Sequence, residues 1–88
     1  NSLLNNMMAY LMKEKGDFEA AKHHLNVYMT VHPDEPNAYD SMGDILLASG
    51  DTLKAKEMFI KAYEMSKNLK TGPEEFFTTS KKKADNLN

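Results

Sequence analysis

Shifted by 34 residues, the chain falls on itself. Gly16-Asp17 lands on Gly50-Asp51, Ala21 on Ala55, Leu25 on Phe59, Met8 on Met42, Met12 on Leu46 and Lys22 on Lys56. A period of this length marks a stacked repeat, in which each unit buries its apolar face against a neighbour. Within each period the apolar residues recur at three- and four-residue steps, the spacing of a helix with one buried side. In the first unit these are Leu4, Met8, Leu11 and Met12, then Phe18, Ala21, Leu25 and Tyr28; in the second they are Tyr39, Met42, Leu46 and Leu47, then Leu53, Ala55, Met58, Phe59, Ala62 and Tyr63. Gly closes one helix in a left-handed conformation and the following Asp caps the next. Each unit therefore reads as a helical hairpin. Pro33 and Pro36, on either side of Asp34-Glu35, break the chain between the units, and Pro36 suits a first helical turn.

Size and composition bound what such a stack can do. A chain of 88 residues supports one domain with a modest core, too small for a large active-site cavity. Hydrophobic residues at 41% and charged residues at 27% fit a globular chain and exclude disorder or a collagen-like class. No apolar run approaches the roughly 20 residues of a bilayer crossing, so membrane partners are not expected. Without cysteine there are no disulfides, thiolate metal sites or thiol nucleophiles. The net charge is −2, and all eleven cations are lysine. The absence of arginine and of a strongly basic segment argues against nucleic acid and against bidentate phosphate recognition. The chain begins at Asn1 without the layout of a secretory signal and is read as a piece of a longer protein.

The repeat resembles the tetratricopeptide family, whose pattern of W-x2-L-G-x2-Y, A-x3-F and P recurs every 34 residues. The second unit reads Tyr39-x2-Met42-Gly43-x2-Leu46 and then Ala55-x3-Phe59, with Ala62 following. The first reads Asn5-x2-Met8-Ala9-x2-Met12 and then Ala21-x3-Leu25, with Pro33 at its end. The resemblance implies an all-α fold: two helix-turn-helix repeats, at about 2–35 and 36–69, stacked in a right-handed superhelix. Small residues, Ala9 or Gly43 against Ala21 or Ala55, are expected to let the helices of each hairpin approach. Asn5 at the aromatic position, Tyr28 where alanine is usual and Lys67 in place of proline depart from the pattern.

Two repeats fall short of the three or so that such arrays need, so residues 70–88 are expected to supply a capping helix and a polar tail. Thr71-Gly72-Pro73-Glu74 has the form of a capping box, and Phe76 and Phe77 would be the helix's apolar contribution. Thr78, Thr79, Ser80 and Lys81 to Lys83 are assigned to its solvated side.

Catalytic and cofactor chemistry finds little support. His23 and His24 are adjacent, hence about 100° apart on a helix, and His32 lies too far on to complete a metal site. Ser41 falls inside a helix and lacks the first glycine of a nucleophile elbow. The four glycines form neither a phosphate loop nor a dinucleotide fingerprint. Asp40 and Asp44 share a helix face, but no neighbouring residue supplies a nucleophile. No catalytic residue, metal or cofactor is assigned, and the chain is read as a non-enzyme.

The tetratricopeptide resemblance implies a concave groove lined by the first helix of each repeat. Its residues here would be Leu3, Asn6, Met7, Tyr10 and Lys13 from the first unit, and Asn37, Asp40, Ser41, Asp44 and Leu47 from the second. Family members that hold chaperone tails clamp a terminal carboxylate with Lys, Arg and Asn; Tyr10 and Asp44 stand in place of those asparagines, and Asp40 and Asp44 would repel a carboxylate. A basic or neutral peptide with an apolar anchor, or a partner protein, is the expected ligand. The segment Pro36 to Asp44 is also similar to short repeats appended behind serine-hydrolase domains in some bacterial proteins, which implies an accessory segment that docks on an upstream catalytic domain. Self-association into a homodimer is the third reading, since a second copy can cover an open flank.

Overall fold

The computed structural model describes residues 2–69 and 74–87, and the side chains of 3–67 and 80–87. It is all-α. Five helices follow one another, α1 (Ser2–Glu14), α2 (Phe18–Val31), α3 (Pro36–Ala48), α4 (Thr52–Leu69) and α5 (Glu74–Asp85), with no strand among the described residues.

The turns within the two hairpins are built alike. Gly16 and Gly50 take φ of 81° and 95°, a region where only glycine is free of a Cβ clash. The left-handed residue lets the chain double back on its own helix. Gly16 N–H donates to Lys13 O at 3.0 Å and Asp17 N–H to Met12 O at 2.9 Å; one period later Gly50 donates to Leu47 O at 3.1 Å and Asp51 to Leu46 O at 2.9 Å. This pair of bonds satisfies carbonyls that a helix end otherwise leaves open. The aspartates then start the next helix: the Asp17 carboxylate accepts from Ala20 N–H at 3.1 Å and that of Asp51 from Lys54 N–H at 3.3 Å. Between the hairpins, Pro36 begins α3, and the Tyr39 hydroxyl donates to Pro33 O at 3.2 Å, tying the linker down.

Packing orders the helices into a slab 33 × 31 × 17 Å, about two helix diameters thick. α1, α3 and α5 meet through side-chain hydrogen bonds and form one layer, against which α2 and α4 pack. α3 lies at the centre, against α1, α2 and α4, and α5 packs on α4. The core runs along this axis through Leu25, Ile45 and Phe59, all fully buried, together with the fully buried alanines at 9, 21, 38, 55 and 62. Burying a side chain the size of Phe59 contributes about 1.5–3 kcal/mol.

The sequence placed Gly43 against Ala55, but the space above Gly43 is filled by Phe59, whose ring would lie 2.4 Å from an added Cβ. The unusual positions find specific partners. Asn5 pairs with His24, Oδ1 to Nδ1 at 3.4 Å, and Tyr28 is buried with its hydroxyl donating to Glu35. Burial and that carboxylate both raise the Tyr28 pKa. With lysine at 67, nothing stops α4, which runs on to Leu69. Of the expected capping box Thr71-Gly72-Pro73-Glu74, the first three residues lie outside the described residues and Glu74 begins α5; the side chains of Glu74, Phe76, Phe77, Thr78 and Thr79 are likewise not described. Assigning Ser80 and Lys83 to the solvated side requires correction: Ser80 and Ala84 are buried and Lys83 is half-buried, because this face of α5 turns toward α3 and α4.

Candidate functional site

On the layer formed by α1, α3 and α5, polar side chains from all three helices meet. Tyr10 of α1 and Asp44 of α3 occupy equivalent repeat positions, and the Tyr10 hydroxyl donates to Asp44 Oδ2 at 2.6 Å, with Ser41 Oγ 3.4 Å away. One turn earlier, the buried Ser41 hydroxyl donates to Asn6 Oδ1 at 2.6 Å. α5 completes the set from the other side. Ser80 Oγ donates to Asp40 Oδ1 at 2.9 Å, and Lys83 Nζ lies 3.0 Å from Asp40 Oδ2 and 3.3 Å from Asp44 Oδ1. The two carboxylates, one helical turn apart, share a single ammonium.

Burial raises the Tyr10 pKa strongly, and its hydrogen bond to Asp44 adds to the effect, so the phenol stays protonated and acts as a donor. For Lys83, burial alone would lower the pKa; the hydrogen bonds and charges of Asp40 and Asp44 outweigh it, and the pKa rises. The ammonium is therefore fixed as a cation. The sequence treated Asp40 and Asp44 as an uncompensated acidic pair facing a ligand, yet Lys83 neutralises one of their charges from within the chain. The charge-based preference for a basic ligand loses half its basis.

The Ser41 hydroxyl is engaged by Asn6 and Tyr10, with no imidazole among its described partners. The three histidines lie apart from it: His24 meets Asn5, His32 approaches Glu35 at 3.8 Å, and His23 stacks edge-on against His24. Among the described residues no group of three His, Asp or Glu could hold a metal ion, and no helix is long and apolar enough to cross a membrane.

Of the ten groove residues read from the sequence, Asn6, Tyr10, Asp40, Ser41 and Asp44 form one network. Lys13 flanks it, its Nζ 5.6 Å from the centre of the Tyr10 ring. Asn37 lies at the opposite end, its amide donating toward the Tyr28 hydroxyl at 3.4 Å. Leu3, Met7 and Leu47 are exposed and take no part in the network. Ser80 and Lys83 were missed. A Ser-x-x-Lys spacing followed by alanine at 84 does mark one face of a helix, but nothing in it points to α3. A shallow depression of about 240 Å³ lies elsewhere, along α2, lined by His23, Asn26, Val27, Thr30 and Val31.

The sequence matches no family model, and it matches none of the curated proteins. Among solved structures the chain is similar to protein BPP2914 from Bordetella parapertussis, determined in solution, with a TM-score of 0.81 and 21% identity, over 99% of this chain and 74% of that one. At that identity the likeness is one of fold, and it extends through all five helices.

Proposed function

We propose that the chain is a two-repeat module of the tetratricopeptide type that binds a segment of a partner protein on the α1–α3–α5 layer, and that it is not itself an enzyme. The repeat reading is supported by the shared 34-residue register of helix starts, left-handed glycines and aspartate caps. The observation that carries the binding reading is the convergence of Asn6, Tyr10, Asp40, Ser41, Asp44 and Lys83 from three helices onto one side of a thin slab. Such a network holds its own side chains in fixed positions, which lowers the entropy lost when a ligand docks. Asn6 and Asn37 carry carboxamides of the kind that pair with peptide backbone, and the exposed Leu3 and Met7 of α1 and Leu47 of α3 offer apolar contact. The ligand that fits is a neutral or weakly basic segment, with no need of a free carboxylate.

Selection of a displayed random-peptide library against the immobilised chain tests this. Enriched peptides should shift the amide resonances of Asn6, Tyr10, Asn37 and Asp44, and Asn6→Ala with Asn37→Ala should weaken them roughly tenfold or more, the loss expected for two hydrogen bonds. No enrichment, or shifts confined to the depression along α2, would reject the reading.

A further inference from the structure

We propose that Lys83 sets the charge specificity of the α1–α3–α5 layer, filling from within the chain the place that a ligand's ammonium group would take and so suppressing a preference for cationic ligands. This rests on the reading that the layer binds a segment of a partner. The helix contacts show why Lys83 belongs to that surface. Where α1 meets α3, the Ser41 hydroxyl donates to Asn6 Oδ1, and three residues after Ser41 the Asp44 carboxylate accepts from Tyr10. Where α3 meets α5, the Ser80 hydroxyl donates to Asp40 Oδ1, and three residues after Ser80 the Lys83 ammonium pairs with Asp44. Asn6 and Asp40 are one period apart, as are Tyr10 and Asp44. The second junction therefore repeats the first, with Ser80 in the place of Ser41 and Lys83 in the place of Asp44. Ala84, which follows Lys83, is buried as Ile45 is after Asp44. Tyr10, Asp44 and Lys83 form one row across the layer, and Lys83 holds its third position.

The ammonium sits as a bound cation would. Its Nζ lies 3.0 Å from Asp40 Oδ2, 3.3 Å from Asp44 Oδ1 and 5.3 Å from the centre of the buried Phe59 ring. Two carboxylates and an aromatic ring are the parts of an ammonium site. All three come from α3 and α4, whereas the occupant comes from α5. The place is also open to a docked segment, since the side chains of Lys83 and Asp44 are 33% and 24% exposed. Without Lys83, two partly buried carboxylates one turn apart would lack a counter-ion, and a cationic side chain on the ligand would relieve them.

Two libraries of short displayed peptides serve as probes, alike except that the central residue is fixed as lysine in one and methionine in the other. The readout is the enrichment ratio, lysine library over methionine library, on the full chain at about 0.15 M salt, where charges beyond roughly 8 Å are screened. Lys83→Met should raise this ratio about tenfold or more over the wild type, the change expected of one charge-assisted hydrogen bond. Lys83→Gln keeps a donor toward Asp40, and with it the seat of α5, and should raise the ratio in the same direction. Lys82→Met alters the net charge equally at an exposed neighbour and should leave the ratio at its wild-type value. Adding Asp40→Asn and Asp44→Asn to Lys83→Met should bring the ratio back down. An unchanged ratio in both Lys83 variants, an equal rise in Lys82→Met, or a rise that survives the asparagine substitutions would overturn the inference and leave the binding reading standing. A wild type that enriches neither library would reject the binding reading, and this inference with it.

Discussion

Two equivalent pairs of residues solve one packing problem in two ways. In the first hairpin the positions hold Ala9 and Leu25, in the second Gly43 and Phe59, and all four are buried. The smaller helix residue accompanies the larger ring, so total volume is nearly kept. Gly43→Ala forces a methyl group into the Phe59 ring, which has no exposed side to retreat toward. Its expected cost is about 1–3 kcal/mol in urea unfolding. Adding Phe59→Leu, which recreates the pair of the first hairpin, should recover part of that loss; a strictly additive double variant would refute the coupling. Gly16→Ala differs in kind, because open space surrounds the site and the cost is the left-handed backbone alone, roughly 1 kcal/mol. Ionisation also acts at single residues. Tyr10, Tyr28 and Lys83 all hold their protons more tightly folded than unfolded, where the ordinary values are 10.0 for tyrosine and 10.5 for lysine. Raised folded-state values contribute stability that is complete below those unfolded values and is lost as pH rises through the folded ones. Thermal melts between about pH 9 and about pH 11 should therefore fall, and Tyr10→Phe should flatten the decline.

Among the elements, those written in local chemistry were the legible ones. The Gly-Asp pairs, the apolar steps and Pro36 act over three or four residues, and they located α1 to α4 because each signal is satisfied inside the element or at its end. Asp17→Ala and Asp51→Ala should each cost about 1 kcal/mol, measured by chemical denaturation, since each removes a cap bond to the following helix. Phe59 over Gly43 was less legible, because small residues announce a close approach without saying which side chain fills it. The contact between α5 and α3 was not legible at all. Ser80 and Asp40 lie 40 positions apart, and a serine and a lysine in a polar helix look the same whether they face water or a carboxylate. Burial decides between these, and burial is a property of the packed molecule. Lys83→Met should keep the unbranched apolar stem but remove the charge, leave Asp40 and Asp44 to repel one another, and loosen α5, which limited proteolysis would detect as faster cleavage within residues 74–85.

For the whole molecule, the order of helices makes the stack unequal along its length. α3 buries Ala38, Tyr39, Ser41, Met42, Gly43, Ile45 and Leu46, being covered on several sides, while on α1 Ala9 is the buried residue among those described. Contacts in such an array join neighbours, so it comes apart from an end inward. The chain should accordingly not open as a single unit. Amide hydrogen exchange should be faster along the end helices α1 and α5, which can peel away while the rest stays folded, and slowest in the middle of α3 and the facing half of α4. Because the exposed Leu3, Leu4, Met7 and Leu11 sit on an end helix, anything bound to them would slow the fraying of that end and so raise the stability of the entire stack.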